Sequence, residues 1–123
     1  SVLEHVDDLS AAYQSMACWL KKGGLATHLI DFSAHNLTHR WNGHWKISPK
    51  TWALIRGRRP YLINRLWRSR HIELMKDAGF EVVSEIKYEK SDGWPRNEMR
   101  PPFAQMPQGD DQVAMSFIVA RKI

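Results

Sequence analysis

The stretch QVAMSFIVARK near the end of the chain limits the possible folds more than any other segment. Its two alternating sets of side chains are both largely apolar: Val113, Met115, Phe117 and Val119 against Ala114, Ser116, Ile118 and Ala120. A strand with two apolar faces lies inside a sheet, because a strand with one wet face alternates apolar and polar residues. We therefore predict that this segment is an interior strand, with helices on both faces of its sheet.

A helix followed directly by a strand is predicted at the start of the chain. In the stretch DDLSAAYQSMACWLKKGGL, Asp8 or Ser10 can cap the helix, and the paired glycines Gly23 and Gly24 end it. Between these ends, apolar residues recur at helical spacing, at Tyr13, Met16, Ala17 and Leu20. Residues 25–32 then read as a strand, so the two elements form the helix-to-strand half of a βαβ unit.

Two more helices and an edge strand are predicted in the middle of the chain. Ser48 and Gly57 bound a short helix, while Ser69 and Gly79 bound a second one. The apolar side of that second helix comprises His71, Leu74, Met75 and Ala78. In the stretch FEVVSEIKYEK, one face is charged and the other carries Phe80, Val82, Ser84, Ile86 and Tyr88. A strand with one charged face is typical of a sheet edge, where charges prevent stray pairing.

The length and composition of the chain indicate a single domain. Residues 89–111 hold four of the six prolines and form a predicted long surface loop within one domain, 1–123. No apolar run approaches the roughly 20 residues that cross a bilayer, so we expect no membrane partner. The single cysteine, Cys18, favours a reducing cytoplasm. The net charge of +5 is assigned to solubility rather than to nucleic-acid binding.

The order of these elements resembles the C-terminal half of class I S-adenosylmethionine-dependent methyltransferases. SVLEHVDDL is similar to the end of the family's fourth strand and its following turn. AAYQSMACWLKKGGL resembles the next helix and its stop, with Lys22 where the family usually has proline. RHIELMKDAGFEVV resembles the helix and sixth strand, and VAMSFIVARK the last strand, which in the family inserts antiparallel between the fifth and sixth. The resemblance implies an α/β fold with a partial Rossmann-like sheet.

The resemblance also implies where S-adenosylmethionine would lie in the parent family. It borders the first residues of this chain, which gives Ser1, Leu3, Glu4 and His5 as predicted cofactor contacts. The family's glycine-rich turn and acidic ribose-binding residue have no counterpart here, so we expect this chain alone to bind no cofactor and to have negligible activity. Its unpaired sheet edge would pair with a missing N-terminal half or with a second copy in a homodimer.

The stretch DFSAHNLTHRWNGHW is the predicted substrate loop, because it follows the carboxyl end of a strand. Methyl transfer to a hydroxyl requires a positioned acceptor and a group that removes its proton, which a histidine can do. His35, His39 and His44 are candidates, and we assign catalysis to His39 and His35 with Asp31 as an orienting carboxylate. The predicted substrate contacts are Arg40, Trp41, His44 and Trp45. The competing interpretation is an aromatic-rich cover packed on the sheet.

Some of the same residues could also be the ligands of a metal ion. Some relatives that methylate catechols or RNA ends hold a divalent metal with a Glu-x-x-Glu-His cluster and a later histidine. Here Ser1 stands at the first glutamate, which leaves Glu4, His5 and one of His35, His39 or His44. Because one carboxylate is lost, we predict no metal.

The expected function is therefore that of a methyltransferase portion acting on an O or N atom of a small molecule. An acidic substrate is expected only if the arginine-rich stretch RGRRPYLINRLWRSR takes part. The alternatives are a non-catalytic α/β binding or dimerisation module, and an RNA-binding module that uses these arginines. A solvated face, with arginine stems packed over tryptophan, explains the stretch better than either ligand.

Overall fold

The computed structural model describes residues 2–123, so Ser1, a predicted cofactor contact, lies outside the described residues. The chain forms three α-helices and three strands, which we number in chain order: α1 (Leu9–Trp19), β1 (Leu25–Asp31), α2 (Pro49–Arg56), α3 (Arg68–Asp77), β2 (Phe80–Glu89) and β3 (Val113–Lys122). Within this described part, no helix combines the length and the apolar character that a membrane crossing requires.

The three strands form one open sheet in the order β1-β3-β2. β3 is antiparallel to both neighbours, so β1 and β2 run parallel to each other on either side of it. The prediction of an interior final strand is confirmed, as is the mixed α/β class. Among residues 2–123, β1 and β2 each pair on one side only, which leaves two sheet edges.

The helix boundaries follow local capping signals. The Asp8 carboxylate accepts a hydrogen bond from the backbone N–H of Ala11 at 3.0 Å, which fixes the start of α1. Ser48 does the same for α2, and Gly57 ends that helix with a φ of +54°. The start of α3 lies two residues before the predicted start. Trp67 occupies the N-cap, because the N–H of the predicted cap Ser69 donates instead to the Asp110 carboxylate at 2.9 Å.

Helices cover one face of the sheet, and the prediction of helices on both faces is wrong. α1 and α3 pack together over Ile30, Ile118 and Ala120, all of which are buried. Leu29 and Ile86, whose partners on β3 are both Phe117, remain 41% and 54% exposed on the opposite face. The second face stays open because α2 packs elsewhere, with the Arg65 guanidinium 4.6 Å above the Trp52 ring.

A β-bulge overturns the predicted facing of β2. Val82 pairs with Ala120, but the next register pair is Ser84 with Val119, so Val83 is an extra residue. Because side chains alternate along a strand, one extra residue exchanges the two faces beyond it. Phe80 and Val82 consequently face the helices, as predicted, whereas Ile86 and Tyr88 lie on the open face.

The connection between β2 and β3 is packed against the protein rather than being a free surface loop. It contains three short 3₁₀ turns, Arg96–Glu98, Phe103–Gln105 and Asp110–Gln112. Apolar side chains that the loop prediction left exposed are buried in the core: Met99, Phe103 and Met106. The segment therefore contributes to the single core that the chain builds.

The first residues also differ from the expected strand end. Leu3–His5 form a short 3₁₀ turn that contacts β1 instead of extending the sheet. The side-chain amide of Asn64 holds this turn by donating to the carbonyl oxygens of Leu3 and Val6, at 2.9 and 2.8 Å. The sheet therefore has no strand at residues 2–3.

Candidate active site

A cleft of about 820 Å³ lies at the carboxyl ends of the parallel strands β1 and β2. Open α/β sheets characteristically bind ligands at this end of their strands. From the β1 side the cleft is lined by Asp31 and the loop that follows it, and from the β2 side by Tyr88, Lys90 and Asp92. The predicted substrate loop thus does border a cavity, and the loop after β2 forms its other wall.

His35 is held at the cleft wall by strained and hydrogen-bonded backbone. His35 and Asn36 have φ angles of +50° and +63°, in the left-handed region that non-glycine residues seldom occupy. The turn begins where the Asp31 carboxylate accepts the N–H of Ser33 at 2.8 Å. The Nδ1–H of His35 donates to the carbonyl oxygen of Ser33 at 3.0 Å. Two consecutive left-handed residues therefore turn the histidine back towards the end of β1.

Carboxylates flank the other ring nitrogen of His35. Its Nε2 lies 3.5 Å from the Glu4 carboxylate and 3.7 Å from that of Asp31. The predicted pairing of Asp31 with a histidine is thus present in space, but the backbone carbonyl of Ser33 orients the ring, and Asp31 lies beside Nε2. Glu4 is almost fully buried, at 4% exposure, while the side chain of His35 is 28% exposed.

His5 joins the same cluster from the opposite side. Its Nδ1–H donates to the carbonyl oxygen of Tyr61 at 2.7 Å, and its ring meets that of His35 edge-on with centroids 5.0 Å apart. Its Nε2 is 4.0 Å from the Glu4 carboxylate. The structure therefore brings together four of the predicted site residues: Asp31, Glu4, His5 and His35.

Leu3, predicted as a cofactor contact, is instead part of the core. Its side chain is 7% exposed and belongs to the main apolar cluster. The correction has a simple cause, because a 3₁₀ turn directs Leu3 inwards where a strand end would have left it at the sheet rim.

His44 and Trp45 are buried, and neither lines the cleft, which corrects their assignment as substrate contacts. Trp45 is fully buried, and its indole N–H donates to the carbonyl oxygen of Arg65 at 2.9 Å. Burial, together with the neighbouring positive charge of Arg65, lowers the pKa of His44 to about 3, so this ring is neutral at pH 7. For these two residues the interpretation as an aromatic cover is correct.

His39, Arg40 and Trp41 do line the cleft, as predicted. The guanidinium of Arg40 lies 4.0 Å from the centroid of the Trp94 ring, and the Lys46 ammonium lies 3.5 Å from it. This contact ties the loop after β1 to the loop after β2. It also makes one rim of the cleft basic.

Asn42 is the central tie between the two loops. Its side-chain amide donates to the carbonyl oxygen of Trp94 at 2.9 Å and accepts the Trp94 N–H at 2.7 Å. A Cβ on Gly93 would lie 2.6 Å from this amide, so the close approach requires glycine there. The cleft is thus built on a fixed pair of loops.

The sequence-based prediction missed the wall that β2 contributes. Tyr88 near the carboxyl end of β2, and Lys90 and Asp92 just after it, line the cleft together with the loop after β1. The signal was available, since both strands flank the predicted interior strand and therefore end at the same edge of the sheet. Their mixed charges give the cleft both acidic and basic groups.

The arginine-rich stretch is largely engaged within the protein. Arg65 donates to the carbonyl oxygens of His44 and Ile47, at 3.1 and 2.7 Å, and is 8% exposed. Arg68 forms a forked pair with the Glu85 carboxylate, with its Nη2 at 2.6 Å from Oε2. The Glu85 pairing raises the pKa of Arg68. The predicted packing of arginine over tryptophan is present at Arg65, whose guanidinium lies 4.6 Å from the Trp52 ring, but Arg65 is buried rather than part of a solvated face.

The residues present do not fit S-adenosylmethionine as a ligand of this chain. Leu3 and Glu4, which the resemblance places beside the cofactor, are both buried. The paired glycines Gly23 and Gly24 lie at the far end of β1 from the cleft, where Gly23 donates its N–H to the carbonyl oxygen of Lys122. No step below is therefore derived through that cofactor.

No family model, no curated protein and no solved structure matches this chain. A function can therefore be argued only from the site itself.

Proposed function

We propose that this chain is the acceptor-binding portion of a Rossmann-like, S-adenosylmethionine-dependent methyltransferase that modifies an O or N atom of a small molecule. The observation that carries the proposal is the sheet order β1-β3-β2 with an antiparallel β3, together with the cleft at the carboxyl ends of β1 and β2. The resemblance of the sequence to this family requires both features.

The cleft supplies what an acceptor needs. In methyl transfer the protein's task is to hold the acceptor atom in line with the methyl group and to take up the proton that a hydroxyl releases. His35 can do the latter, because its Nδ1–H is fixed on the Ser33 carbonyl and its Nε2 is directed to Asp31 and Glu4. The adjacent carboxylates would stabilise the positive charge that the imidazole gains.

The exposed apolar residues on the open face of the sheet support the proposal that another part of the enzyme covers this face. Leu25, Leu29, Ile86 and Tyr88 are between 41% and 55% exposed on that face. Apolar surface of this kind marks a contact site when the residues are contiguous. In the proposed parent enzyme, the N-terminal half that carries the cofactor would cover this face, and the chain alone would be inactive.

Methyl transfer by the product of the complete reading frame that encodes this chain tests the proposal. Radiolabelled S-adenosylmethionine would be offered with a panel of small hydroxyl- and amine-bearing acceptors. We expect transfer to at least one hydroxyl acceptor, and a loss of about 100-fold in kcat for His35→Gln. Gln14→Ala, on an exposed position of α1, is the matched control. Absence of transfer to every acceptor, or an unchanged rate in His35→Gln, would contradict the proposal.

The second candidate is a non-catalytic module that dimerises, and the same open face and the unpaired sheet edges favour it. Multi-angle light scattering of the isolated chain separates this candidate from the first. A concentration-dependent dimer that Ile86→Lys dissociates would support the dimerisation module. A monomer at high concentration would remove it.

A further inference from the structure

Three potential ligand atoms converge beside the cleft from two separate segments. Glu4 and His5 come from the turn at the start of the chain, and His35 comes from the loop after β1. One carboxylate oxygen and one ring nitrogen from each histidine all lie within 4.8 Å of one another. Two histidines and a carboxylate are a ligand set that binds first-row divalent metals.

The hydrogen bonds of both histidines determine which ring nitrogen faces the cluster. Nδ1 of His5 contacts the carbonyl oxygen of Tyr61, and Nδ1 of His35 contacts that of Ser33. A carbonyl oxygen can only accept, so each Nδ1 carries the hydrogen. In the neutral rings, Nε2 therefore carries the lone pair. An Nδ1–H bound to a backbone carbonyl is the support that metal-ligating histidines usually have.

The separations inside the cluster are longer than hydrogen bonds and leave room for an ion between the atoms. Nε2 of His35 is 3.5 Å from Glu4, and Nε2 of His5 is 4.0 Å from it, whereas N–H···O bonds are about 2.7 to 3.2 Å long. Ligands at about 2.1 Å from one cation lie about 3.0 to 3.4 Å apart. Since the three atoms lie within 4.8 Å of one another, closure of the widest separation by about 1.4 Å or less would accommodate the ion.

Asp31 brings a second carboxylate next to His35, outside the three atoms that lie within 4.8 Å of one another. Its Oδ2 lies 3.7 Å from Nε2 of His35, while its Oδ1 is fixed by the N–H of Ser33. Our sequence-based prediction of no metal depended on the carboxylate that Ser1 does not provide. Asp31, from the end of β1, would replace that carboxylate once its side chain moves towards the cluster. Two nitrogen and two oxygen donors are then available.

We propose that Glu4, His5 and His35, with Asp31 as a fourth ligand, bind one divalent transition-metal ion at the wall of the cleft. Mn²⁺, Fe²⁺, Co²⁺ and Zn²⁺ suit this mixed nitrogen and oxygen set. Because Asp31 and His35 also line the cleft, a ligand oxygen bound there could reach the ion. Metal binding by the chain does not depend on the proposed methyltransferase function. An ion on Nε2 of His35 would occupy the lone pair that takes up the acceptor proton, so His35 would act as that base only in the metal-free chain.

Titration of the full chain with Mn²⁺, Co²⁺ and Zn²⁺ by calorimetry tests the site, with the absorption spectrum of the Co²⁺ form as a second readout. We expect one ion per chain, and at least a 10-fold rise in Kd for Glu4→Gln and for His35→Gln. His39→Gln removes a cleft histidine outside the cluster and should leave the Kd unchanged. Circular dichroism checks that each variant folds. If Glu4→Gln does not fold, the test is the comparison of His35→Gln with His39→Gln, because His35 is partly exposed.

Two results would overturn the metal proposal. One is the absence of saturable binding of all three ions at 1 mM metal, about the weak limit for a specific site. The other is saturable binding that His35→Gln weakens no more than His39→Gln does. Methyl-transfer activity enters neither comparison, so failure here and failure of the proposed function are separable.

Discussion

At the scale of single residues, buried polar groups connect distant segments. His71 on α3 is completely buried, and its Nδ1 shares a 2.9 Å hydrogen bond with the hydroxyl of Tyr13 on α1. Burial, together with the nearby His28 ring, lowers the pKa of His71 to about 3. The folded state therefore holds this imidazole neutral where the unfolded chain would protonate it.

Stability should consequently fall with acidity through His71. Below the unfolded pKa of 6.5, unfolding takes up a proton, so the free energy of unfolding decreases from about pH 6.5 towards pH 3. Substituting His71→Gln should reduce this slope by up to about 1.4 kcal/mol per pH unit. Urea unfolding at a series of pH values measures it, with exposed His39→Gln as the control. Equal slopes in wild type and His71→Gln would count against the assignment.

Arg65 provides a second test at this scale, because its guanidinium serves two backbone carbonyls and two aromatic rings. It satisfies the carbonyl oxygens of His44 and Ile47 and lies 4.6 and 4.7 Å from the ring centroids of Trp52 and Phe103. Arg65→Met should lower the free energy of unfolding by about 2 to 3 kcal/mol, since buried carbonyls lose charged donors. Arg58→Met, at an exposed position, is the matched control for urea unfolding. Equal, small effects would show that Arg65 is not structural.

At the scale of elements, the bulge in β2 separates two apolar positions that simple alternation places on one face. Val82 faces the helices, and Ile86 faces the open side. Val82→Thr should cost about 1 kcal/mol because it buries a hydroxyl, whereas Ile86→Thr should change stability by about 0.5 kcal/mol or less. Thermal or urea unfolding of the two variants compares them directly. A larger cost for Ile86→Thr would contradict the bulge.

The connection between β2 and β3 allows a similar comparison. Phe103 is 5% exposed and stacks against Trp45, whereas Gln105 in the same turn is exposed. Phe103→Ala should lower the free energy of unfolding by about 3 to 5 kcal/mol, the usual cost of deleting a buried ring. Gln105→Ala should have little effect. If neither variant changes the free energy of unfolding, the segment is a free loop and this prediction is wrong.

At the scale of the whole molecule, the features predicted from the sequence were those with local causes. Helix starts at Asp8 and Ser48 and the interior position of β3 follow from capping and alternation, which act within a few residues. The facing of Ile86 depended on an unpaired residue three positions earlier, and the burial of His44 depended on Arg65, twenty-one positions later. Neither feature produces a recognisable pattern in the neighbouring sequence, so neither could be predicted from it.

In the candidate site, too, the features with local causes were predicted and those that depend on distant residues were not. The location of the substrate loop after β1 followed from strand order, and the structure places His35, His39, Arg40 and Trp41 at the cleft. The convergence of Glu4 with Asp31 required a 3₁₀ turn in place of a strand end. Long-range geometry therefore decided which of the candidate residues meet.

The whole account depends on the claim that this sheet holds the acceptor side of a methyltransferase and lacks the nucleoside pocket. Calorimetric titration of S-adenosylmethionine measures this most directly, using the isolated 123-residue chain and the product of its complete reading frame in parallel. The account predicts saturable binding by the complete product and none by the isolated chain. Saturable binding by the isolated chain, or no binding by either protein, would contradict it.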